Sequence, residues 1–424
     1  MPKSLVIQLA RFGDLVQTKR LIYSLCRDSE THLCVDASLE ELARLVYPPQ
    51  AGFVLHPMRA HGQATAAEVL AANATVCKTL AAEHFDTIYN CNSSGMNAAL
   101  ATLFPPERVR GLRNLSGQPM RETWMQLAFR WTSERRLAPL NLADYWALFA
   151  PEPIAPEQVN PVAEPGGKGL GVVLAGRMAR RSLPPEALAP IVQVMAASLP
   201  SHKRTAPVFL LGSAAEKPLA RELARLLPPR VTAKLHDLTG KTDWAGLLDT
   251  LRDLDVVLSP DTGAMHLAAH CGTPVIAFFL SSAWAWETGP YGLGHRVVQA
   301  VQPCLPCVET QTCPRAVACL DLFRSQKLLH WLSRSGGMEL EIPGGWFLRS
   351  SLDALGLRWD GAESHDMQGV ARERLRILTA AHFGINLAAD MSQAEDAAAM
   401  LFQERDWMLP PLPGTTAPSL RLSL

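Results

Sequence analysis

The sequence predicts an α/β protein made of two doubly wound parallel sheets, and two observations support this. Short apolar runs alternate with stretches of helical periodicity through most of the first 330 residues, which is typical of parallel sheets covered by helices. A segment rich in proline and glycine, Pro151 to Gly169, interrupts the alternation, which then starts again. Such composition is typical of a linker. We therefore expect one α/β domain over residues 1–150, a linker over 151–169 and a second α/β domain over 170–330.

In the first half, three apolar runs have the length of buried strands, and two stretches between them have helical spacing of apolar residues. The turn A-R-F-G-D follows the first strand, and Gly13 gives its backbone extra freedom. Because ligands bind beyond the carboxyl ends of strands in such sheets, we expect Asp14 and the polar loop Asn92 to Gly95 to lie at the binding edge. The predicted strands are Ser4 to Leu9, His32 to Asp36 and Thr87 to Cys91, and the predicted helices are Asp14 to Cys26 and Ala64 to His84.

The second half repeats this alternation, which fades after about residue 330. Beyond that point two helical stretches, Val370 to Ala381 and Ser392 to Gln403, precede a proline-rich tail. We therefore expect a mainly helical C-terminal extension over 331–424, whose role the sequence does not define. The predicted strands of the second half are Leu170 to Leu174, Val208 to Leu211, Val256 to Leu258 and Pro274 to Phe279, and its predicted helices are Pro185 to Ala197, Ala215 to Leu227, Leu247 to Leu251 and Ala264 to His270.

The composition is that of a folded globular protein with no bulk attraction to nucleic acid. The 40 basic and 40 acidic residues balance, so a non-specific polyanion partner is not indicated. A hydrophobic content of 48% with 19% charged residues favours a packed core over disorder. No apolar run reaches the roughly 18 residues of a membrane span, and the N-terminus lacks the pattern of a secretory signal. Five scattered cysteines suit a reducing compartment, so we expect a cytoplasmic protein.

The segment from Asp255 to Phe279 carries the clearest chemical signal. A buried strand is followed by the polar loop Ser259 to Gly263, a short helix and a second buried strand. A loop with Asp261 and Thr262 at the start of a helix presents unpaired backbone N–H groups to an anion, and the helix dipole adds partial positive charge. His266 follows one turn later, within reach of the same anion. The segment indicates a phosphate site; the alternative is an ordinary capped strand–helix joint.

Three arginines follow the strand Leu170 to Leu174, at positions 177, 180 and 181. Guanidinium groups beyond the carboxyl end of a strand suit a diphosphate, since they form paired charge-assisted hydrogen bonds. A solvated basic turn is the alternative for Arg177, Arg180 and Arg181.

Gly212 and Ser213 follow the next strand, with Glu216 shortly after. A carboxylate at this place can hold the hydroxyl groups of a ribose. An acidic residue at a helix start can equally serve the helix dipole.

Asp14 lies in a strand-to-helix turn, where an α/β sheet exposes reactive side chains. A carboxylate there can act as general base toward a hydroxyl. The structural alternative is a helix N-cap.

Two further patterns concern metal ligands. Asp253 and Asp255 form a D-x-D pattern, which leads directly into a buried strand and therefore favours a structural role. The remaining cysteines cluster in one loop, where four thiols can form a tetrahedral zinc site or serve only as structural residues. We expect no metal at the candidate active site. The clustered residues are Cys304, Cys307, Cys313 and Cys319.

The segment Pro105 to Arg136 is strongly basic and carries Trp124, Phe129 and Trp131. Positive charge beside aromatic rings suits an anionic amphiphile at a membrane surface. A solvated helix face is the alternative. Its arginines are Arg108, Arg110, Arg113, Arg121, Arg130, Arg135 and Arg136.

Several of these motifs resemble those of one known family. R-F-G-D-L-V-Q-T near the N-terminus, L-T-G-K-T-D-W-A-G-L-L and S-P-D-T-G-A-M-H-L-A-A-H-C-G-T-P-V-I-A-F-F in the second half, and G-P-Y-G at Gly289 to Gly292 resemble the ADP-heptose:lipopolysaccharide heptosyltransferases of glycosyltransferase family 9. The clustered cysteines also fit family members. The resemblance covers roughly residues 3 to 330. It implies the GT-B architecture, in which two Rossmann-like domains face a cleft, with the acceptor in the first and the nucleotide-sugar donor in the second.

The resemblance also implies a reaction: inverting, metal-independent transfer of heptose from ADP-heptose to an acceptor of the lipopolysaccharide core or lipid A type, without a cofactor. Asp14 matches the catalytic base of the family. The implied donor and phosphate residues are Arg181, Asp261, Thr262, Gly263 and His266, the nucleoside residues are Gly212, Ser213 and Glu216, and the candidate acceptor-side residues are Arg11, Asn92, Ser93 and Arg113.

The implied partners are a nucleotide sugar, a lipid-linked saccharide and, transiently, the inner face of the cytoplasmic membrane, with no nucleic acid. Arg181 stands where the family has lysine, Leu183 where it has an aromatic residue, and Arg20 where proline is usual. Leu280, with Ser281 and Ser282, replaces a glycine-containing turn, so we expect Leu280 to restrict the backbone approach to the donor. Two alternatives follow: a family-9 transferase for another nucleotide sugar or acceptor, or a non-catalytic relative that serves in binding or assembly.

Overall fold

The computed structural model contains two parallel-dominated sheets, one in each half of the chain. It describes residues 1–47, 52–62, 65–176, 179–199, 205–308, 310–334, 342–361 and 366–387. The strands are β1 Lys3–Gln8, β2 Glu30–Asp36, β3 Phe53–Met58, β4 Thr87–Asn90, β5 Val109–Leu115, β6 Gln118–Arg121, β7 Leu170–Val173, β8 Val208–Leu211, β9 Leu235–Asp237, β10 Val256–Pro260, β11 Val275–Phe279, β12 Arg296–Ala300, β13 Gly345–Leu352 and β14 Leu357–Asp360.

Helices cover the sheets and connect most of the strands. Within the described residues, no helix is both long enough and apolar enough to cross a membrane. The helices are α1 Phe12–Gln17, α2 Lys19–Asp28, α3 Glu40–Val46, α4 Ala66–Ala82, α5 Gly95–Leu100, α6 Thr123–Ser133, α7 Leu142–Ala147, α8 Pro185–Ser198, α9 Lys217–Leu226, α10 Pro229–Thr232, α11 Trp244–Asp253, α12 Gly263–His270, α13 Ala285–Thr288, α14 Gln326–Ser333 and α15 Gly369–His382.

The strand orders place a topological switch point in each sheet. The first sheet has the order β3-β2-β1-β4-β5-β6, and the second has the order β14-β13-β12-β11-β10-β7-β8-β9. In the first, β1 pairs in parallel with both β2 and β4; in the second, β7 pairs in parallel with both β8 and β10. Crevices at such points, beyond the carboxyl ends of the strands, bind ligands in α/β sheets. The loops after β1, β4, β7 and β10 therefore define the candidate site.

Almost all predicted elements are confirmed, with two informative differences. The helix predicted over Asp14 to Cys26 is two helices, α1 and α2, which meet at Thr18. The hydroxyl of Thr18 donates to the backbone oxygen of Asp14 at 2.7 Å and accepts from the Gln8 amide at 2.8 Å. These bonds tie the helix junction to the end of β1, close to the predicted base.

The second difference is the hairpin β13–β14, which the sequence analysis did not predict. Its first strand pairs antiparallel with β12, so the hairpin extends the second sheet. The predicted helix Val370 to Ala381 is confirmed as α15, and the stretch Ser392 to Gln403 lies outside the described residues.

One continuous apolar core joins both halves and the C-terminal extension. It contains Val6 and Leu21 of the first half, Phe279 of the second, and Trp359 and Leu375 of the extension. Helix α1 of the first half packs against α12 of the second half. The two halves therefore meet through helices that begin at the carboxyl ends of their strands.

The proline-rich segment 151–169 runs along the second half. Its Glu164 donates a backbone hydrogen bond to Gly272 O at 2.9 Å. The D-x-D residues hold the same segment: Asp253 pairs with Lys168 at 2.5 Å, and Asp255 accepts from the Gly167 N–H at 3.1 Å. The structural interpretation of this pattern is therefore confirmed.

Candidate active site

The N-termini of α1, from the first half, and α12, from the second, meet in direct contact. A Cβ atom added to Gly13 would lie 3.1 Å from the Cα of Gly263, and one added to Gly263 would lie 2.1 Å from the ring of Phe12. Neither position leaves ordinary van der Waals room for a side chain. This contact places Asp14, the residue after Gly13, beside the first turn of α12.

Asp14 is the third residue of α1 and is half-buried. Its Oδ2 accepts a hydrogen bond from the backbone N–H of Arg11 at 3.1 Å. The N-cap of this helix is Arg11, and Asp14 completes a capping box with it from the third helical position, so Asp14 also serves the helix start. The bond orients the carboxylate at the edge where the two halves meet.

The first turn of α12 has the properties of an anion site. Thr262 is the N-cap in an extended conformation, and its side chain makes no capping hydrogen bond. The Met265 N–H donates to Thr262 O at 3.0 Å, so the N–H groups of Gly263 and Ala264 are the ones that can face an anion, which the helix dipole favours.

His266 lies one turn into α12 with its ring against Gly13: the Cβ position of Gly13 is 3.5 Å from the ring Cδ2. The side chain is only 4% exposed, and this burial lowers the pKa of His266 to about 4. The imidazole is therefore neutral near pH 7. It can offer an anion a ring N–H, but no positive charge.

Arg181 is held by two partners from different loops. Its Nη1 lies 3.0 Å from Asp261 Oδ2, and its Nε donates to Ser282 Oγ at 2.7 Å. These bonds fix the guanidinium between the ends of β10 and β11, so the alternative of a solvated turn is wrong for Arg181. Its neighbour Arg180 donates to Gln311 O at 2.8 Å. Arg177 lies outside the described residues.

A second ion pair beside the first connects the two halves. Nε of Arg135, from the first half, donates to both carboxylate oxygens of Glu287 at 3.0 and 2.8 Å. Burial raises the pKa of Glu287, and the Arg135 guanidinium opposes that shift; Asp261 and Arg181 also act on it electrostatically. The sequence analysis missed Glu287 and placed Arg135 in a surface patch.

The predicted nucleoside residues form a helix cap at the end of β8. The backbone N–H of Ser213 donates to Glu216 Oε2 at 2.6 Å, and Ser213 Oγ accepts from Ala215 N at 3.2 Å. A Cβ added to Gly212 would lie 3.1 Å from the Cβ of Glu216. One oxygen of the Glu216 carboxylate thus serves the helix start, in agreement with the structural alternative.

Three of the four acceptor-side candidates lie in the loops after β1 and β4, and the fourth lies on β5. Asn92 Oδ1 accepts from the backbone N–H of Leu9 at 3.2 Å, which joins the loops after β1 and β4. Ser93 contacts the sulfur of Met125 at 4.0 Å. Arg113 is half-buried on β5, and the exposed Arg11 begins α1. Of these residues, Arg11 contacts Asp14 directly through its backbone N–H, and Asn92 contacts the chain just after β1.

The basic segment before Arg136 does not form one amphiphilic surface. Trp124 and Trp131 are buried in the shared core, and Arg136 donates from Nε to Leu305 O of the second half at 2.6 Å. The exposed part is smaller: the guanidinium of Arg121 lies 3.7 Å from the ring centre of Phe129. The two tryptophans therefore cannot contribute to a surface for an anionic amphiphile, because they pack inward from one face of α6.

The side chain of Leu280 is fully buried in the core of the second half. The residue that departs from the family pattern at this position therefore fills the core. Its effect on the backbone approach to a donor stays a prediction.

The four clustered cysteines line one cavity of about 280 Å³, together with Arg180 and Ser281. Cys307 Sγ lies 3.3 Å from Ser281 Oγ. Within the described ranges, no three or more His, Cys, Asp or Glu side chains are arranged to hold a metal ion.

Comparisons with known proteins agree with this architecture. Residues 198–317 match the model of glycosyltransferase family 9 (heptosyltransferase). The chain is 33% identical over 72 residues to lipooligosaccharide heptosyltransferase 2 of Haemophilus influenzae, a match that spans 17% of this chain and only about a fifth (21%) of that relative.

Two solved structures share the fold at low identity. Escherichia coli ADP-heptose lps heptosyltransferase II superposes with a TM-score of 0.53 at 15% identity, covering 79% of this chain and 100% of that one. A family 9 glycosyltransferase of Veillonella parvula gives 0.54 at 12% identity, over 77% and 97%. The expected GT-B fold of two Rossmann-like halves is thereby confirmed.

Proposed function

We propose that this chain, whose residues 198–317 match the model of glycosyltransferase family 9, is an inverting glycosyltransferase that moves heptose from ADP-heptose to a lipopolysaccharide-type acceptor. The observation that carries the proposal is the contact of Gly13 with Gly263. It brings a carboxylate of the first half to an uncapped helix start of the second. A base and an anion site on opposite sides of a cleft are what transfer from a nucleotide sugar requires.

In the proposed reaction, Asp14 accepts the proton of an acceptor hydroxyl as its oxygen attacks the anomeric carbon of the donor. The bond between that carbon and the diphosphate oxygen breaks, and its electron pair leaves with ADP. Attack opposite the leaving group inverts the anomeric centre. The hydrogen bond from Arg11 N–H to Asp14 supports this role because it pre-orients the base.

The donor diphosphate would lie at the start of α12. Thr262 and Gly263 would provide backbone N–H groups, and His266 a neutral ring N–H. Arg181 would provide the positive charge, already oriented by Asp261 and Ser282. Fixed dipoles and charges of this kind stabilise a departing ADP without reorganisation, which supports a reaction that needs no added metal ion.

The nucleoside would extend from α12 toward the end of β8, where Gly212, Ser213 and Glu216 lie. Oε2 of Glu216 bonds the Ser213 N–H, so a ribose hydroxyl would be bound through the remaining lone pairs of that carboxylate. The acceptor would approach from the side of Arg11, Asn92, Ser93 and Arg113. We propose that its lipid remains at the membrane surface, near Arg121 and Phe129.

Titration calorimetry tests the donor assignment. The full chain is titrated with ADP, UDP, GDP and ADP-heptose in the presence of EDTA. Selective binding of ADP and ADP-heptose, weakened about tenfold by His266→Ala and less by His266→Gln, is expected from the loss of one hydrogen bond. Preference for another nucleotide would change the donor, and absence of binding would favour a non-catalytic binding or assembly role.

A further inference from the structure

Lys19, the first residue of α2, has a buried amino group at the interface between the two halves. Its side chain is only 4% exposed. The Nζ lies 2.9 Å from Nδ1 of His270, the last residue of α12, and 2.9 Å from Oδ1 of Asn160 in the segment between the halves. Lys19 thus links α2 both to the end of α12 and to the segment between the halves.

The direction of the Lys19–His270 hydrogen bond follows from the state of the imidazole. Burial, with smaller contributions from the charges of Lys19 and Arg252, lowers the pKa of His270 to about 3. The ring is therefore neutral near pH 7 and accepts at Nδ1, with its proton on Nε2. Lys19 donates to His270 and to Asn160.

This hydrogen bond lies at the far end of the helix pair that forms the candidate site. Helix α12 has eight residues, so its ends are separated by roughly 12 Å at 1.5 Å per residue. Its first residue, Gly263, meets Gly13 of α1, and its last, His270, meets Lys19. The segment from Gly13 to Lys19 therefore holds α12 at both ends.

A closed chain of hydrogen bonds restrains the position of Lys19. Asn160 Nδ2 donates to Tyr291 O at 2.9 Å, and the Tyr291 hydroxyl donates to Asp144 Oδ1 at 2.5 Å. Asp144 in turn accepts from Arg20, the residue after Lys19, at 2.5 Å. The ring closes through the backbone of α2, so Lys19 cannot move without disturbing both halves.

We propose that Lys19 is a positioning residue for sugar transfer: its hydrogen bond to His270 fixes α12 against α1 at the separation that aligns Asp14 with the donor. This rests on the proposed function above. Lys19 touches neither donor nor acceptor and acts through the placement of α12. Because a misplacement of about 1 Å can cost about 100-fold in rate, a contact at the far end of α12 can control the reaction.

The test compares variants that remove the hydrogen bond with one that keeps it. Lys19→Met and His270→Leu remove it, whereas His270→Asn places an acceptor oxygen near the position of Nδ1. We expect Lys19→Met and His270→Leu to lower kcat about 10- to 100-fold, with donor KM and ADP affinity within about twofold because the donor contacts remain on α12. His270→Asn should recover kcat to within about threefold.

Each kcat is normalised to the fraction of chain that binds ADP in the calorimeter, so a loss of folded protein does not count as a loss of rate. Lys168→Met is the matched control, since Lys168 pairs with Asp253 at the surface and should leave kcat unchanged. Unchanged kcat in Lys19→Met and His270→Leu would overturn the inference, and so would a loss that His270→Asn does not recover. If the wild-type chain itself neither binds ADP nor transfers sugar, the proposed function fails first.

Discussion

Nη1 of Arg20 donates a hydrogen bond to Oδ1 of Asp144 at 2.5 Å, and both side chains are almost fully buried. Arg20 also donates to Leu355 O at 2.8 Å, and Asp144 Oδ2 accepts from Leu357 N at 2.8 Å. The pair therefore binds the loop of the β13–β14 hairpin to the first half. This chain thus has a buried charge pair that holds its C-terminal extension.

Removal of one partner of this pair should destabilise the fold strongly, because the other charge remains buried and uncompensated. We expect Arg20→Met to lower the free energy of unfolding by about 3–5 kcal/mol, measured by urea denaturation. Arg44→Met breaks an exposed pair with Glu40 and should cost less than about 0.5 kcal/mol. An equally small effect of Arg20→Met would show that solvent or a rearranged partner stabilises Asp144.

Asp14→Asn should abolish most transfer and leave donor binding intact. The amide retains an oxygen that can accept from Arg11 N–H, so the local backbone is kept while the base is lost. We expect kcat to fall about 100- to 10,000-fold, measured with ADP-heptose and an acceptor of the lipid A type. Asp28→Asn changes an exposed carboxylate of the neighbouring α2 and serves as control. Retention of full activity by Asp14→Asn would exclude the base assignment.

Gly263→Ala should disrupt the contact between the halves, because the new methyl group would lie 2.1 Å from the Phe12 ring. Overpacking of this kind costs about 1–3 kcal/mol, and displacement of Phe12 should also weaken ADP binding. The double variant Gly263→Ala/Phe12→Ala, which removes the obstructing ring, should recover ADP affinity in calorimetry. Gly95→Ala has no atom within 4 Å of the new methyl group and should be neutral. Weak ADP binding by the double variant as well would mean that Gly263 is needed by the ligand itself.

The parts of the site that the sequence predicted are local ones. The loop Ser259 to Gly263 and helix α12 are contiguous in the chain, so strand length, polar loop and helical spacing together define an anion site. Arg135 and Glu287 are 152 residues apart, and no local pattern joins them. A residue type indicates what a side chain can bind, but only the fold determines which partner it meets.

The burial of the two tryptophans and the existence of β13 could both have been predicted from the sequence. Trp124 and Trp131 are seven residues apart, which places them on one face of a helix and favours a core position over a surface patch. In β13, Trp346 and Leu348 are buried alternately with less buried neighbours, as in a half-buried strand. The burial of the Leu280 side chain could not be predicted in this way, because the side chain of a loop residue after a buried strand can point into the core or into solvent.

Lys19 should make the stability of the fold depend on pH in the alkaline range. Burial lowers the pKa of Lys19 from 10.5 to about 7, and Cys271 opposes the shift. Tyr23 of α2 also faces the ammonium group, whose Nζ lies 5.2 Å from its ring centre. In the unfolded chain the pKa of Lys19 is 10.5 again. Between about pH 7 and pH 10.5, Lys19 is therefore protonated in the unfolded chain and mostly deprotonated in the folded chain. Stability therefore rises with pH across this window and is flat below it.

The expected gain between pH 7 and about pH 9.5 is about 3 kcal/mol, measured as the free energy of unfolding in urea at each pH. Lys19→Met carries no titrating group and should lack this slope, so the difference between wild type and variant isolates the lysine. Lys168→Met, at the surface, should keep the wild-type slope. Parallel pH profiles for the wild type and Lys19→Met would show that Lys19 stays protonated when folded, with His270 and Asn160 as partners of a charged ammonium group.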